Sequence, residues 1–158
     1  MKKRKLVFAS MVIVWMSIIF LLSSRTSDDS TNDSNRIGLL IGKTFVPNFE
    51  EWNEERQMEF AKNIDYPIRK TAHALEYAIL GILLSGALVD EKKRRRVRML
   101  IPWVLGTFYA VTDEFHQLFV PGRSGQVSDV ALDSTGVLIG VLTVIILYDK
   151  RTKNSKTE

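Results

Sequence analysis

The 158-residue chain contains no cysteine. That excludes disulfides and thiolate metal sites. Histidine is nearly as scarce, with only two, His73 and His116. A signal-peptide cleavage site is lacking as well. "MKKRK" followed by an apolar run has the look of a signal peptide, but "FLLSSRTSDD" offers no A-x-A-like site and the run is long for such a segment. The first apolar run is therefore expected to be retained.

What the chain does have is apolar blocks hidden behind a mean hydropathy of +0.00. Leu6–Leu22, Thr71–Val89, Met99–Phe119 and Val130–Tyr148 are each rich in apolar residues. Each is close to the roughly 20 residues a helix needs to cross a bilayer. The fold class expected is all-α: a four-span transmembrane helical bundle forming one domain over residues 1–158, with short helices in the outer loop 23–70 between spans one and two. The lipid bilayer is the first partner this implies.

Basic residues orient the spans. Of 22 Lys and Arg, four precede the first span, six lie in "DEKKRRRVR" and four follow the last span. The other side holds seven, in a loop that also carries nine acids, plus Arg123. Lys and Arg in short flanks stay cytoplasmic. Both termini are thus expected inside, with 23–70 and 120–128 outside. The same rule accounts for "KKRRRVR", so no nucleic-acid partner is expected.

In the outer loop, "SSRTSDDSTNDSN" is polar, low in complexity and expected to be mobile. "RIGLLIGKTFVP" reads as a short helix ended by Pro47. "NFEEWNEERQMEF" reads as another, with Asn48 as its cap and Glu50 and Glu51 in the first turn. Phe49, Trp52, Phe60 and Ile64 fall on one stripe. These helices either lie on the outer membrane surface or cover the spans.

Polar residues converge at the outer ends of three spans. Lys70, His73, Glu76 and Tyr77 share a face of span two. Span three ends with Asp113, His116 and Gln117 on one face, while Glu114 points about 100° away and serves a different neighbour. Span four enters with Asp129, Asp133, Gly136 and Gly140 in one stripe, and the two glycines form a small-xxx-small contact. The loop "VPGRSGQ" closes this end with Arg123. A charge at mid-bilayer costs about 2.5–3.5 kcal/mol on insertion scales, and less near the interface. So many ionisable groups are expected to face one another across an outward-opening pocket. Tyr77 and Trp103 read as packing or interface aromatics, and Arg25 and Arg69 as headgroup anchors. Pro102 is expected in the first turn of span three.

These residues resemble the VanZ-like family of small bacterial membrane proteins, named for a teicoplanin-resistance protein. The resemblance is carried by "SS" at 23–24, "RKTAHALEY" at 69–77, "DEFHQLFVPGRSG" at 113–125 and "DVALDSTGVLIG" at 129–140. Arg25 stands where Gln is expected, and Asp133 where Asn is common. The resemblance implies a role in lowering sensitivity to glycopeptide antibiotics, without supplying a mechanism.

Three readings of the polar cluster stay open. In the first it is an enzyme, with His73, Glu76, Asp113, Glu114 and His116 as candidate catalytic groups. His73, Glu76, Asp113, His116 and Asp129 are of types that could hold a divalent metal. Lys70 and Arg123 suit a phosphate, with Gln117, Asp129 and Asp133 as further binding residues. The reaction would be hydrolysis or group transfer on a lipid-linked envelope precursor or a phospholipid. In the second, the pocket binds a glycopeptide or a cell-wall precursor without chemistry. In the third, the residues form a structural network that fixes the helices.

Overall fold

A computed structural model describes residues 2–88 and 94–154. Val89, Lys92, Lys93 and Lys156, which figure in the expectations above, lie outside the described residues. Every regular element among the described residues is helical: α1 (Lys2–Ser23), α2 (Ser27–Phe45), a 3-10 turn (Phe49–Glu51), α3 (Glu54–Asn63), α4 (Asp65–Leu88), α5 (Arg95–Gln117) and α6 (Val127–Asn154).

Three of these helices are long and apolar enough to cross a membrane: Lys3–Ser23, Asp65–Leu88 and Val127–Thr152. α5 is comparable in length, but Asp113, Glu114 and His116 at its end lower its apolar average. It packs against α6 and α4, with the Trp103 indole N–H donating to the Ser134 carbonyl at 3.2 Å and Thr107 bonded to the Ser134 hydroxyl at 2.8 Å. α1 is tied on by the Trp15 indole, which donates to the Glu76 carbonyl at 2.9 Å, and by the Tyr109 hydroxyl, which donates to the Met16 carbonyl at 2.6 Å. At the opposite end from the polar cluster, Arg95 and Arg98 pair with Asp149 at 3.0 and 3.2 Å.

α4 and α6 make the closest contact, and glycine is the reason. A Cβ at Gly136 would overlap the Ala74 carbonyl oxygen, one at Gly140 the Ala78 carbonyl oxygen, and one at Gly81 the Val137 carbonyl oxygen. Small residues let backbones approach where lipid gives no hydrophobic drive between helices. Tyr77, Leu80, Val137, Val141 and Ile145 fill the core beside this seam, with Ile19 from α1 and Ala110 from α5.

Three local features differ from expectation, two in the outer segment and one in α5. From Ser27 on, the polar run expected to be mobile forms the first half of α2. The Thr26 hydroxyl accepts from the Asp29 backbone N–H at 3.2 Å, and Asp28 and Asp29 occupy the first turn, where the helix dipole favours acids. The run is helical because it carries the cap and continues into a buried face of Ser34, Asn35, Gly38 and Gly42. Second, the cap of the following helix is Asn53, whose side chain accepts from the Arg56 N–H at 2.9 Å. Asn48 adopts a left-handed backbone, φ 56°, and caps nothing with its side chain. Third, Pro102 sits well inside α5 because that helix begins in the basic run at Arg95. There it removes one intrahelical hydrogen bond.

The aromatic stripe does assemble: Phe49, Trp52 and Phe60 have ring centroids 5.1, 5.4 and 6.3 Å apart. Gly38 and Gly42 make room for it, since a Cβ there would meet Ala61 and the Phe49 ring. α2 and α3 pack on each other and on α4, where Ser34 donates to Asp65.

Candidate functional site

α4 starts, α5 ends and α6 starts at one end of the bundle. Two adjoining cavities open there. The first, of about 270 Å³, is lined by Arg69, Lys70 and His73 of α4, Gln117 of α5, Arg123 of the loop and Asp129 of α6, with Ser27, Tyr66 and Gln126 at its edges. The second, of about 200 Å³, lies toward α1 and α2. Leu22, Ile37, Ile68 and Ala72 supply its apolar wall, and Ser23, Asp33 and Glu76 part of its polar one. Arg69, His73 and Arg123 line both.

Local sequence explains the placement. Arg69 and His73 are four residues apart, so they stack on one face of α4. Lys70 pairs with Asp129, joining α4 to α6 across the mouth, and Arg69 pairs with Asp65 one turn earlier at 2.9 Å. Arg123 is delivered by a turn in which Gly122 has φ +73°, a left-handed conformation that favours glycine. Its Nε donates to the Arg25 carbonyl at 2.9 Å, and Nη1 makes a long contact of 3.4 Å with Gln117 Oε1. Burial pushes the Arg123 guanidinium below its ordinary pKa, with the Arg69 charge adding to the effect and Asp113, Glu114 and Glu76 opposing it.

Other expected site residues stand elsewhere. Asp113, Glu114 and Asp133 are buried and line neither cavity. Glu114 serves the neighbour its orientation suggested: its carboxylate accepts from the Gln126 backbone N–H at 2.9 Å, just ahead of α6. Asp113 accepts from the Gln117 amide at 3.3 Å. Asp133 is wholly buried, and neither carboxylate oxygen has a hydrogen-bond partner among the described residues. His116 turns to α1, where its ring stacks on Phe20 with centroids 4.5 Å apart, and it too lines neither cavity. The two histidines therefore do not share a pocket. α5's helical phase is the reason: it points Gln117 at the cavity and His116 roughly 100° away.

The metal candidates His73, Glu76, Asp113, His116 and Asp129 are dispersed accordingly. Among the described residues, no three His, Asp or Glu side chains form a group that could hold a metal ion. What the site can do is present cationic and amide donors to a ligand, with an apolar recess alongside. Arg69, expected as a headgroup anchor, lines both cavities instead, and its i, i+4 relation to His73 is the sequence signal for that. Asp33, Ser34 and Ile37 reach the second cavity from α2, a helix that the low complexity of its first half conceals in the sequence.

Helices long and apolar enough to cross a membrane, with a cationic cavity at one end of the bundle, fit a membrane protein. Residues 8–148 match the profile of the VanZ/LLP1 family, and the chain belongs to that family. Searches of curated proteins and of solved structures find no match.

Proposed function

We propose that this is a multi-pass protein of a bacterial cell membrane that lowers sensitivity to glycopeptide antibiotics such as teicoplanin. It does so by binding an envelope component in an outward-facing cavity. The observation that carries the reading is the cavity of about 270 Å³ lined by Arg69, Lys70, His73 and Arg123 at the end of apolar helices. The antibiotic role comes from the family resemblance. Binding is favoured over metal-assisted hydrolysis because the candidate ligands do not assemble.

α5 is the fourth span in this reading. Val104, Phe108, Val111 and Phe115 are exposed along one side of it, a stripe that lipid would cover. The excess of basic residues at the opposite end supports a cytoplasmic location for both termini. Because the chain has no cysteine, single substitutions report topology cleanly. Glu55→Cys and Ser124→Cys are expected to react with an impermeant thiol reagent in whole cells, and Arg96→Cys only after permeabilisation. The reverse pattern would sink the outward site.

Function is tested by a teicoplanin susceptibility titration in a sensitive Gram-positive host, read beside a membrane immunoblot. His73→Asn keeps hydrogen-bonding capacity but removes the imidazole from both cavities, so it is expected to abolish protection at near-parental abundance. His116→Asn, outside the cavities, is expected to keep protection. Full protection by His73→Asn would refute the cavity reading. Loss of protection in step with loss of protein would assign the cluster to structure.

A further inference from the structure

Two guanidiniums of one site lie close enough for their charges to oppose each other. Arg69 and Arg123 line the same two cavities, and the Arg69 charge acts on Arg123. Like charges in a half-buried place are unfavourable unless something anionic is shared between them. Their donors are only partly used. Arg69 keeps one ion pair, to Asp65, while its Nε is buried without a hydrogen-bond partner. Arg123 has neutral acceptors only, the Arg25 carbonyl and Gln117. Among the described residues no carboxylate comes within 4.0 Å of it. By contrast Lys70 is matched by Asp129 and Arg25 by Asp33.

We propose that Arg69 and Arg123 jointly bind the phosphate group of a single- or multi-chain membrane amphiphile, whose apolar chain leaves along the recess of Leu22, Ile37, Ile68 and Ala72. The proposal rests on the cavity being the binding site of the preceding reading, and it names the ligand's chemistry. One guanidinium fork satisfies a carboxylate. Two forks converging from α4 and the loop suit a tetrahedral oxyanion, which offers acceptors in more than one plane. The apolar wall belongs to the second cavity, which the same two arginines also line, so head and chain can be recognised side by side. A phospholipid and a polyprenyl-linked envelope precursor both have this chemistry.

The test uses the full chain purified in a neutral detergent, with binding read by native mass spectrometry. Dodecyl phosphate, dodecanoate, dodecanol and inorganic phosphate are the probes. Dodecyl phosphate is expected to bind roughly tenfold or more tightly than dodecanoate, the range expected for extra hydrogen bonds to a charged group. Dodecanol is expected not to compete, and inorganic phosphate to compete only weakly. Arg69→Gln and Arg123→Gln should each weaken dodecyl phosphate by about tenfold or more. Arg123→Lys, which keeps charge but loses the fork, should fall between.

Unchanged binding in the Arg69→Gln/Arg123→Gln variant overturns the proposal, as does equal competition by dodecanol or dodecanoate. If the Gln variants fail to fold, the four-probe competition on the parent protein decides alone. Inorganic phosphate binding as tightly as dodecyl phosphate removes the amphiphile. Phosphatidic acid against a polyprenyl phosphate then separates the two sources. Because binding is measured without the antibiotic, its failure is distinguishable from failure of the protection assay.

Discussion

Gly140→Leu is expected to strip most of the folded protein from the membrane fraction. The new side chain would start inside the Ala78 carbonyl oxygen and 3.0 Å from the Ile82 backbone nitrogen. Both are backbone atoms of α4, which cannot rotate away as a side chain can. Overpacking a core typically costs about 1–3 kcal/mol where neighbours can shift, and here the whole helix has to move. α4 is also the helix that carries Arg69, Lys70 and His73, so displacing it dismantles the cavity. Gly86→Ala provides the control. Its Cβ would meet the partly buried Phe8 ring, a side chain rather than helix backbone, and abundance is expected to fall much less than for Gly140→Leu. An immunoblot with the two variants alike would refute the role given to the α4–α6 seam.

Tyr77→Ala is expected to have the next largest effect. Tyr77 is fully buried, and its ring packs against Tyr109 with centroids 6.2 Å apart. Truncating a buried aromatic to alanine costs about 3–5 kcal/mol, because the cavity left behind collapses only partly. Tyr77→Phe keeps the ring and removes only a buried hydroxyl without a hydrogen-bond partner among the described residues, so its cost should be far smaller than that of Tyr77→Ala. The check is thermal unfolding in detergent. Equal losses in the two variants would mean that the hydroxyl, which lies near Asp113, holds the helices rather than the ring.

The different fates of the polar residues follow from angles that sequence reading can state but not finish. Asp113, Glu114, His116 and Gln117 lie within five positions of one helix, yet they meet three different surroundings. Gln117 reaches the cavity, Glu114 takes the Gln126 N–H, and His116 lies on Phe20. Helical periodicity separates their directions. It does not say which neighbouring helix stands in each direction.

Local chemistry alone determined much of this protein. The apolar blocks, the lack of cysteine, the one-sided basic residues, the small-residue seam at Gly136 and Gly140 and the convergence of Lys70, His73, Arg123 and Asp129 toward one end were legible. Each depends on composition or on the 3.6-residue repeat. Tertiary structure decided the rest. It paired Arg69 with Arg123, which are far apart in sequence and meet because the loop after α5 folds back onto Arg25. It recruited α2 into the site, because small residues along that polar helix allow α3 and the Phe49 ring to close on it. It separated His73 from His116, because α1 occupies the side of α5 that His116 faces. Such contacts join residues distant in the chain, and no periodicity within one segment encodes them.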